Sequence, residues 1–422
     1  MPRDVIEDNC GCDRFLGDSL QMMTVEAAEK LAQSLADRIR ETELVSLDQS
    51  VGRTLARDLS APRGMPFFDG SAMDGYAVRL RELGDQAPWR LPVTAEIPAG
   101  TTMTGDATSG AVRIFTGAPL PEGYDAVVMQ EDCVRTGDII SFERRPAPGE
   151  NVRRAGSDLG RGTVLVPAGT RIAPRHVGLL AASGYSAINV TSRPRIALLS
   201  TGDELVEAGE KLSQGQVYDA NRPMLLAMLQ EAGAVVEDAG TLPDTPERTA
   251  ARFTELAGQF DAVISTGAVS VGDHDHVKTS FRHAGGSILQ WRVAMKPGKP
   301  VVFGRLGAMA FIGLPGNPYA AYVGAGLFVL PLVRSLSGAP SRPFAPLQAV
   351  AGFEMRKKPG RAEFLPVRLA GTDPSGLPVV EVQRQTSSAT LFPLSKADGI
   401  VILPAETEAT GPGDRLQLRL FC

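Results

Sequence analysis

The stretch Asp261-Ala-Val-Ile-Ser-Thr-Gly-Ala-Val-Ser-Val-Gly-Asp-His-Asp275 decides the fold of the middle of this chain. It opens with a short apolar run, which predicts a buried strand, and continues into a loop of glycine, hydroxyl and acidic residues. Residues 196–204 repeat this order, since an apolar run there ends in Ser200-Thr-Gly-Asp-Glu204. A third apolar run precedes Gly313-Leu-Pro-Gly-Asn-Pro318. Strands that end in such loops, with helices between them, predict a doubly wound α/β domain.

Strand-like and helix-like segments alternate along the chain around this stretch. It predicts strands at 196–200, 234–238, 261–265, 301–303 and 310–312, and helices at 221–232, 246–259, 276–284 and 318–336. The last helix carries the longest apolar run in the chain, residues 319–333. This run is shorter than the roughly 20 residues of a bilayer span, so we expect a buried helix and no membrane contact.

The regions on either side of the α/β pattern are different in character. Residues 24–42 predict an amphipathic helix that Thr24 caps, because Ala27, Leu31, Leu35 and Ile39 recur every four residues. Short β-type runs at 111–116, 126–130 and 139–142 predict a small all-β unit. After a proline-rich linker, runs at 364–369, 379–382 and 399–403 predict a small C-terminal β domain.

The composition excludes several classes of protein. The 422 residues are 43% hydrophobic and 22% charged, which is typical of a globular chain. About three domains are expected at roughly 150 residues each. The net charge of −5 and a pI of about 5.6 disfavour a nucleic-acid partner. The four cysteines, Cys10, Cys12, Cys133 and Cys422, lack paired zinc spacing, and with no targeting segment they predict a cytoplasmic protein.

The three loops that follow the strands carry the chemistry. In an open α/β sheet, ligands bind beyond the carboxyl ends of the strands, so these loops should converge on one edge. Glycine lets backbone N–H groups approach a phosphate closely, and threonine and serine add hydroxyl donors. The residues that we predict to bind a phosphate on these grounds are Thr201, Gly202, Thr266, Gly267, Ser270 and Gly272.

Acidic residues in the same loops predict a metal. Asp203, Glu204, Asp273 and Asp275 would repel a bare phosphate, and Mg²⁺ resolves the conflict by bridging carboxylate and phosphate oxygens. The alternative is that these are ordinary turns, with Asp275 a helix cap. His274 and His276 could ligate a transition metal, but a surface role at a helix start is favoured because no H-E-x-x-H pattern is present.

Positive charge for the same site lies in Trp291-Arg-Val-Ala-Met-Lys-Pro-Gly-Lys-Pro300. Arg292 and Lys296 follow a predicted strand, and the Pro-Gly turn presents Lys299. Lysines near a turn are usually solvated, but their position beside a phosphate loop favours a role in binding an anion.

Seven motifs, in order along the chain, resemble those of the molybdopterin molybdenumtransferases. They are Pro66-Phe-Phe-Asp-Gly-Ser-Ala-Met-Asp-Gly-Tyr-Ala-Val78, Thr116-Gly-Ala-Pro-Leu-Pro121 with Asp125-Ala-Val-Val-Met-Gln-Glu131, Asn151-Val-Arg-Arg-Ala-Gly-Ser-Asp158, Thr201-Gly-Asp-Glu-Leu205, Ser270-Val-Gly-Asp-His-Asp275, Met295-Lys-Pro-Gly-Lys-Pro300 and Gly313-Leu-Pro-Gly-Asn-Pro318. Each motif alone is weakly specific, whereas the ordered set is very specific.

The resemblance implies a domain organisation that the pattern alone does not reveal. After an N-terminal tail (1–20), a split elongated domain (21–62 and 150–190) holds an inserted β domain (63–149). The α/β molybdopterin-binding domain (191–338) and a C-terminal β barrel (339–422) follow. The family forms homodimers whose site combines the α/β domain of one subunit with other domains of its partner.

The resemblance also implies an activity, the insertion of molybdate into molybdopterin-AMP with Mg²⁺-dependent release of AMP. Carried over position by position, it implies functional roles for Asp69, Thr116, Asp158, Glu204, Asp244, Asp275, Lys296, Pro315, Pro318 and Ser388. Mg²⁺ would be held by some of Asp203, Glu204, Asp244, Asp273 and Asp275. Molybdate would meet Arg292 and Lys296, with Ser388 or Thr116 as further donors, while Lys299 and Gly316 would complete the substrate site.

Two positions depart from the family pattern. Arg292 stands where lysine is frequent, which keeps the charge but excludes a role for a neutral amine. Ala268 replaces a frequent glycine.

Two other functions remain to be separated from this one. Proteins that adenylylate molybdopterin share the α/β domain but usually lack the large β regions. A scaffold of the same fold would not need to retain the acids and lysines together. Adenylyltransferases and proteins that deliver the finished cofactor are further possible partners.

Overall fold

The computed structural model describes residues 22–103, 109–242, 245–267, 276–340, 346–383 and 387–421. It confirms the predicted class, because an α/β unit lies between β-rich regions and the chain ends in a small barrel. Asp244, Ser270, Gly272, Asp273 and Asp275, which the sequence places in the site, lie outside the described residues, as does His274.

A six-stranded sheet forms the centre of the α/β unit. Its strands lie in the order Val235–Thr241, Arg195–Ser200, Ala262–Thr266, Met309–Leu314, Pro300–Leu306 and Ser287–Arg292. The first four are mutually parallel, and Pro300–Leu306 runs antiparallel to both its neighbours. Its helices are Asn221–Glu231, Pro246–Ala257, His276–His283 and the long helix Pro318–Leu336. The strands and helices predicted here are confirmed, with ends that agree to within three residues.

The long helix Pro318–Leu336 is a core element. It is long and apolar enough to be considered as a membrane span, but 67% of its apolar window is buried inside the protein, as the sequence predicts. A π-helical segment, Ala325–Val329, interrupts it immediately before the turn that contains Pro331. Proline has no N–H to donate and its ring crowds the preceding turn, and the wider π turn accommodates both effects.

The N-terminal helix differs from its prediction. It runs only from Val25 to Ser34, and Thr24 caps it by accepting a hydrogen bond from the N–H of Ala27. The predicted face is confirmed at Leu31, Leu35 and Ile39, which pack in or against the core of the α/β unit. It is wrong at Ala27, which is exposed, and Val25, Ala28 and Ala32 complete the buried side. The predicted continuation to residue 42 is also wrong. There the Ile39 N–H bonds to the carbonyl of Leu336, and residues 42–46 form a strand.

Strand pairing joins two separated pieces of chain. Thr42–Ser46 pairs antiparallel with Ala187–Thr191, and Leu59–Ser60 pairs with Val164–Val166. The helix Pro174–Ala182 packs on this region through Leu180. The domain boundaries drawn from the sequence remain predictions.

The chain between these two pieces forms a second six-stranded sheet. Its order is Ala126–Met129, Gly75–Val78, Ala111–Ile114, Trp89–Ile97, Ile139–Phe142 and Val134–Thr136, with 3₁₀ turns at Leu80–Glu82 and Gln130–Asp132. The three strands predicted here are confirmed. A separate short pair, Gly70–Ser71 with Val152–Arg153, links this region to the chain that follows it.

The C-terminal domain is a closed barrel of five strands. Their order is Ala362–Thr372, Pro378–Val382, Leu347–Ala351, Arg415–Leu420 and Gly399–Leu403, which pairs again with Ala362–Thr372. The short pairs Met355–Arg356 with Ala409–Thr410, and Leu205–Val206 with Val217–Tyr218, and the helix Phe392–Ser395 complete the described elements. Met295–Lys296 leaves the α/β unit and adds to the barrel strand Ala362–Thr372 in parallel.

Candidate active site

Three strand ends of the α/β sheet meet at one edge, as the pattern predicts. The N–H of Thr201 donates to the carbonyl of Thr266 at 2.9 Å, and the N–H of Gly267 donates to that of Leu314 at 3.2 Å. The described parts of the three loops are therefore tied to one another by their backbones. We call these residues, Thr201, Gly202, Asp203, Glu204, Thr266, Gly267, Pro315, Gly316, Asn317 and Pro318, the sheet-edge loops.

Glycine is required where these loops approach one another. Gly267 has a φ of +109°, and a Cβ there would overlap the carbonyl oxygen of Thr201. A Cβ on Gly316 would lie 3.3 Å from the Cα of Gly267. Gly202 has a φ of +131°, and a Cβ there would lie 2.6 Å from Oε2 of Glu204. The first two glycines thus keep the loops in contact, and the third leaves room for a carboxylate.

A buried asparagine supports the loops from below. Asn221, 7% exposed, donates from Nδ2 to Oγ1 of Thr266 at 2.8 Å and to the carbonyl of Gly316 at 2.7 Å. Its Oδ1 is also buried and accepts no hydrogen bond from the residues that the structure describes. A buried acceptor is costly unless a donor reaches it, so this oxygen leaves one position beneath the loops open to a further donor.

A buried acid beside Asn221 was missed by sequence reasoning. Asp219 accepts from Oγ of Ser200 at 2.7 Å and from the N–H of Arg222 at 3.0 Å. Nε of Arg222 lies 3.3 Å from the same carboxylate. The available signal was Asp219-Ala-Asn-Arg222 at a predicted helix start, where aspartate and asparagine are preferred.

The predicted cationic segment lies at the same edge of the sheet, beside the start of the long helix. A hydrogen bond of 2.9 Å from the N–H of Val293 to the carbonyl of Lys299 closes the turn, and Arg292 and Lys299 are half-buried. A Cβ on Gly298 would lie 3.6 Å from the carbonyl of Ala320, so the turn rests on the start of the long helix. Lys296 contacts the barrel, with Nζ 3.5 Å from Oε1 of Glu363.

The barrel contributes a second group, Ser388. Its Oγ accepts from Nδ2 of Asn317 at 2.8 Å, and its carbonyl accepts from the N–H groups of Tyr319 and Ala320 at 3.1 and 3.4 Å. The phenol of Tyr319 donates to the carbonyl of Phe364 at 2.8 Å, and burial raises its pKa well above the usual value. Ser388 therefore lies beside the third loop, near the buried Pro315 and the helix start at Pro318.

Two of the acids that the sequence predicts as metal ligands lie within the described residues. Asp203 and Glu204 are adjacent and exposed at the end of the strand Arg195–Ser200. Within the described ranges no three histidine, cysteine, aspartate or glutamate residues come together as a metal site. Two carboxylates nevertheless suit Mg²⁺, which usually takes one or two from the protein and further oxygens from water and phosphate.

A second cluster lies outside the α/β unit and joins three of the motifs. Asp69 accepts from the N–H of Ala155 at 2.8 Å and from Nη1 of Arg154 at 2.6 Å. Asp74 accepts from the N–H and from Oγ1 of Thr116, each at 2.8 Å. These bonds lower the pKa of both carboxyl groups, for Asp69 first through Ala155 and for Asp74 first through the Thr116 N–H.

The backbone holds this second cluster together. The N–H of Leu120 bonds to the carbonyl of Asp69 at 2.8 Å, and the N–H of Asp158 bonds to that of Met65 at 2.9 Å. Asp158 is exposed, and so are Phe67 and Phe68, at 52% and 45%. We call Asp69, Asp74, Thr116, Arg154 and Asp158 the motif cluster. Asp74 was not named as a site residue from the sequence, although it lies within the first motif.

Family descriptions match the chain in three consecutive segments. "MoeA N-terminal region (domain I and II)" matches residues 23–184, "Probable molybdopterin binding domain" matches residues 197–335, and "MoeA C-terminal region (domain IV)" matches residues 348–421.

Full-length relatives and a solved structure agree with these matches. A molybdopterin molybdenumtransferase of Haemophilus influenzae is 38% identical over 346 residues, which are 81% of this chain and 85% of the relative. One of Bacillus subtilis is 34% identical over 391 residues, 90% of each chain. The crystal structure of a molybdopterin biosynthesis moeA protein from Pyrococcus horikoshii superposes with a TM-score of 0.82 at 27% identity, covering 95% of this chain and 100% of that chain.

Proposed function

The chain belongs to the molybdopterin molybdenumtransferase family, and we propose that it inserts molybdate into adenylylated molybdopterin and releases AMP. The observation that carries this proposal is the meeting of three glycine-rich loops with a cationic turn and a barrel serine at one sheet edge. This edge would offer donors to a phosphate together with cations for an oxyanion.

The residues of the sheet-edge loops would bind the diphosphate. Backbone N–H groups beside glycine approach phosphate oxygens closely, and the hydroxyl of Thr201 adds a donor. Lys299 and the half-buried Arg292 supply positive charge against the same group. Molybdate, a tetrahedral dianion, would meet Lys296, Arg292 and the hydroxyl of Ser388.

The chemistry needs no protein nucleophile. Water attacks the adenylyl phosphorus, or an oxygen of molybdate does so and water then cleaves the resulting anhydride at molybdenum. In both cases the bridging P–O bond breaks with its electron pair left on the pterin phosphate, and AMP keeps the incoming oxygen. The two dithiolene sulfurs replace molybdate oxygens, which leave as water. Mg²⁺, held by some of Asp203, Glu204, Asp244, Asp273 and Asp275, would neutralise the diphosphate. The protein groups orient the two substrates and stabilise the charge that develops as the bond breaks.

The motif cluster would form the opposite wall of the site. Its carboxylates and Thr116 are held in fixed positions on an exposed surface, and the exposed Phe67 and Phe68 lie beside them. We infer that this surface meets the sheet-edge loops of a second subunit in a cytoplasmic homodimer. The adenylyltransferase that makes the substrate, and proteins that receive the product, would dock on this dimer.

The direct test is AMP release from purified molybdopterin-AMP. We expect the release of AMP to depend on molybdate and Mg²⁺ and to be lost in Asp275→Asn. Replacing molybdate with tungstate in the same assay measures how selective the site is between the two oxyanions. An equal rate of AMP release with and without molybdate would contradict the proposal. Transfer of AMP from ATP onto molybdopterin would favour the adenylyltransferase instead, and unchanged pathway activity in Asp275→Asn cells would favour a scaffold.

A subunit-mixing experiment tests the composite site. Asp69→Asn and Lys296→Met each impair every site of a homodimer. If each site combines residues of two subunits, a dimer of one Asp69→Asn subunit and one Lys296→Met subunit has both substitutions in one site and neither in the other. We therefore expect co-expressed variants to recover activity that neither has alone. If the site lay within one subunit, mixing would restore nothing.

A further inference from the structure

One strand of the α/β unit leaves its own sheet and enters the barrel. Met295 and Lys296 pair in parallel with Ala362 and Glu363, and the N–H of Ala362 donates to the carbonyl of Ala294 at 2.9 Å. The backbone therefore fixes Lys296 in register with Glu363. No sequence pattern near residue 296 indicates this contact, because its partner lies 67 positions away (363 − 296).

Glu363 is a carboxylate in an apolar environment. It is 3% exposed and begins a run of buried residues, Glu363 to Val367, on the barrel strand. A buried carboxylate is costly unless a cation lies close to it. Nζ of Lys296 lies 3.5 Å from its Oε1. The Lys296 side chain keeps 21% of its surface exposed, so the ion pair with Glu363 does not enclose it completely.

A second lysine fixes the turn that leads to Glu363. Lys357 is 6% exposed and donates to the carbonyls of Arg361 at 3.0 Å, Ala405 at 3.2 Å and Lys358 at 3.4 Å. Burial lowers the pKa of Lys357, while the carboxylate of Glu363 acts to raise it. Lys357 therefore shapes the turn through these carbonyl groups, whereas Lys296 forms the ion pair with Glu363.

We propose that Glu363 is a positioning residue that holds the Lys296 ammonium, from the barrel side, in the place where the oxyanion substrate binds. A lysine side chain loses about 2 kcal/mol of rotamer freedom when it is fixed. Contact with a rigid buried carboxylate fixes it before substrate arrives, so molybdate binds a preorganised cation. The C-terminal barrel thereby becomes part of the oxyanion site through a residue that does not touch substrate. This inference rests on the proposed function.

The test is Glu363→Gln, which keeps the shape of the side chain and removes its charge. Glu381→Gln is the matched control, because Glu381 lies on the barrel strand Pro378–Val382 and is exposed. In the AMP-release assay we expect the KM for molybdate to rise at least fivefold in Glu363→Gln while kcat stays within twofold. Glu381→Gln should leave both constants unchanged. Unchanged KM in Glu363→Gln would overturn the proposal.

A double-variant cycle separates positioning from stability. If Glu363 acts through Lys296, then Lys296→Met with Glu363→Gln binds molybdate no worse than Lys296→Met alone. A further loss in the double variant would overturn the proposal. If Glu363→Gln does not fold, Glu363→Asp retracts the carboxylate by one methylene group, and the same rise in KM is expected.

A labelling experiment does not depend on activity. We expect acetylation of Lys296, followed by mass spectrometry with the exposed-loop Lys396 as reference, to become at least threefold faster in Glu363→Gln. An unchanged rate would show that Glu363 does not hold Lys296. If the wild-type chain releases no AMP with molybdate, the proposed function fails, whereas the labelling rate still decides whether Glu363 restrains the lysine.

Discussion

The polar groups that support the sheet-edge loops are buried, whereas those of the motif cluster lie in the open. Thr266 and Asn221 are 1% and 7% exposed, while the side chains of Asp69 and Arg154 are 36% and 56% exposed. The first region is held by backbone contacts between loops and by glycines that admit no side chain. The second is held by carboxylates that accept from backbone N–H groups and from neighbouring side chains.

This difference indicates how each region should respond to substitution. A buried loop contact supports both the fold and the site, because a polar group that loses its partner there has no water to replace it. An exposed carboxylate can be solvated when its partner is removed. We therefore expect changes in the sheet-edge loops to affect stability and activity together, and changes in the motif cluster to affect activity alone.

The largest effect is expected from Gly267→Ala. A Cβ would overlap the carbonyl oxygen of Thr201, and the backbone φ of +109° disfavours any side chain. Displacing reacting groups by about 1 Å can cost roughly 100-fold in rate, and we expect a loss of that size in AMP release. Gly413→Ala is the control, since its φ is +96° but nothing lies within 4 Å. Full activity in Gly267→Ala would show that the close contact between these loops is not needed for AMP release.

A smaller effect is expected from Asp219→Ala. It removes the buried acceptor of Ser200 and Arg222 and should lower the free energy of unfolding by about 2 kcal/mol. The control is Asp238→Ala, whose side chain lies 3.4 Å from the same Arg222 but is 41% exposed. Urea unfolding should separate the two variants. Equal stability losses would show that burial does not govern this region.

Asp69→Asn should lower the rate of AMP release about tenfold, the effect of losing about 1.4 kcal/mol of interaction in the transition state. The amide of the variant can still accept a hydrogen bond from the N–H of Ala155, but it is neutral and no longer forms an ion pair with Arg154. We expect the melting temperature to stay within about 2 °C, since surface changes usually cost under about 0.5 kcal/mol. Asp138→Asn, with a side chain 93% exposed, is the control. A marked loss of stability would contradict the proposed contrast.

The smallest effect concerns the pH dependence of stability at Glu150, next to the motif cluster. The hydrogen bond from Arg144 lowers the pKa of Glu150 to about 2, from 4.5. Because the folded pKa is the lower one, its stabilisation is present above pH 4.5 and is lost as the pH falls towards 2. The Arg144 side chain is 60% exposed, so wild type should exceed Glu150→Gln by less than about 1 kcal/mol at pH 7. A difference that does not shrink in acid would contradict this assignment.

Sequence pattern alone determined the α/β unit and the meeting of its loops. Apolar runs followed by Thr-Gly or Pro-Gly loops define parallel strands, and parallel strands end at one edge, so residues 201, 266 and 316 had to be neighbours. The long helix could be predicted for a similar reason, since its apolar run requires burial. The motif cluster came only from resemblance, because exposed aspartates in turns carry no periodic signal.

Only the tertiary structure decided where the first helix ends, which polar groups lie beneath the loops, and what Lys296 contacts. Helical spacing places Leu31 and Leu35 on the buried side correctly, but packing against the core adds Val25, Ala28 and Ala32 to that side and leaves Ala27 exposed. Asn221 and Asp219 become important because loops distant in sequence lie above them. Glu363 finds its cation in another domain. Long-range partners such as these depend on how separate units pack, which periodicity along one chain does not record.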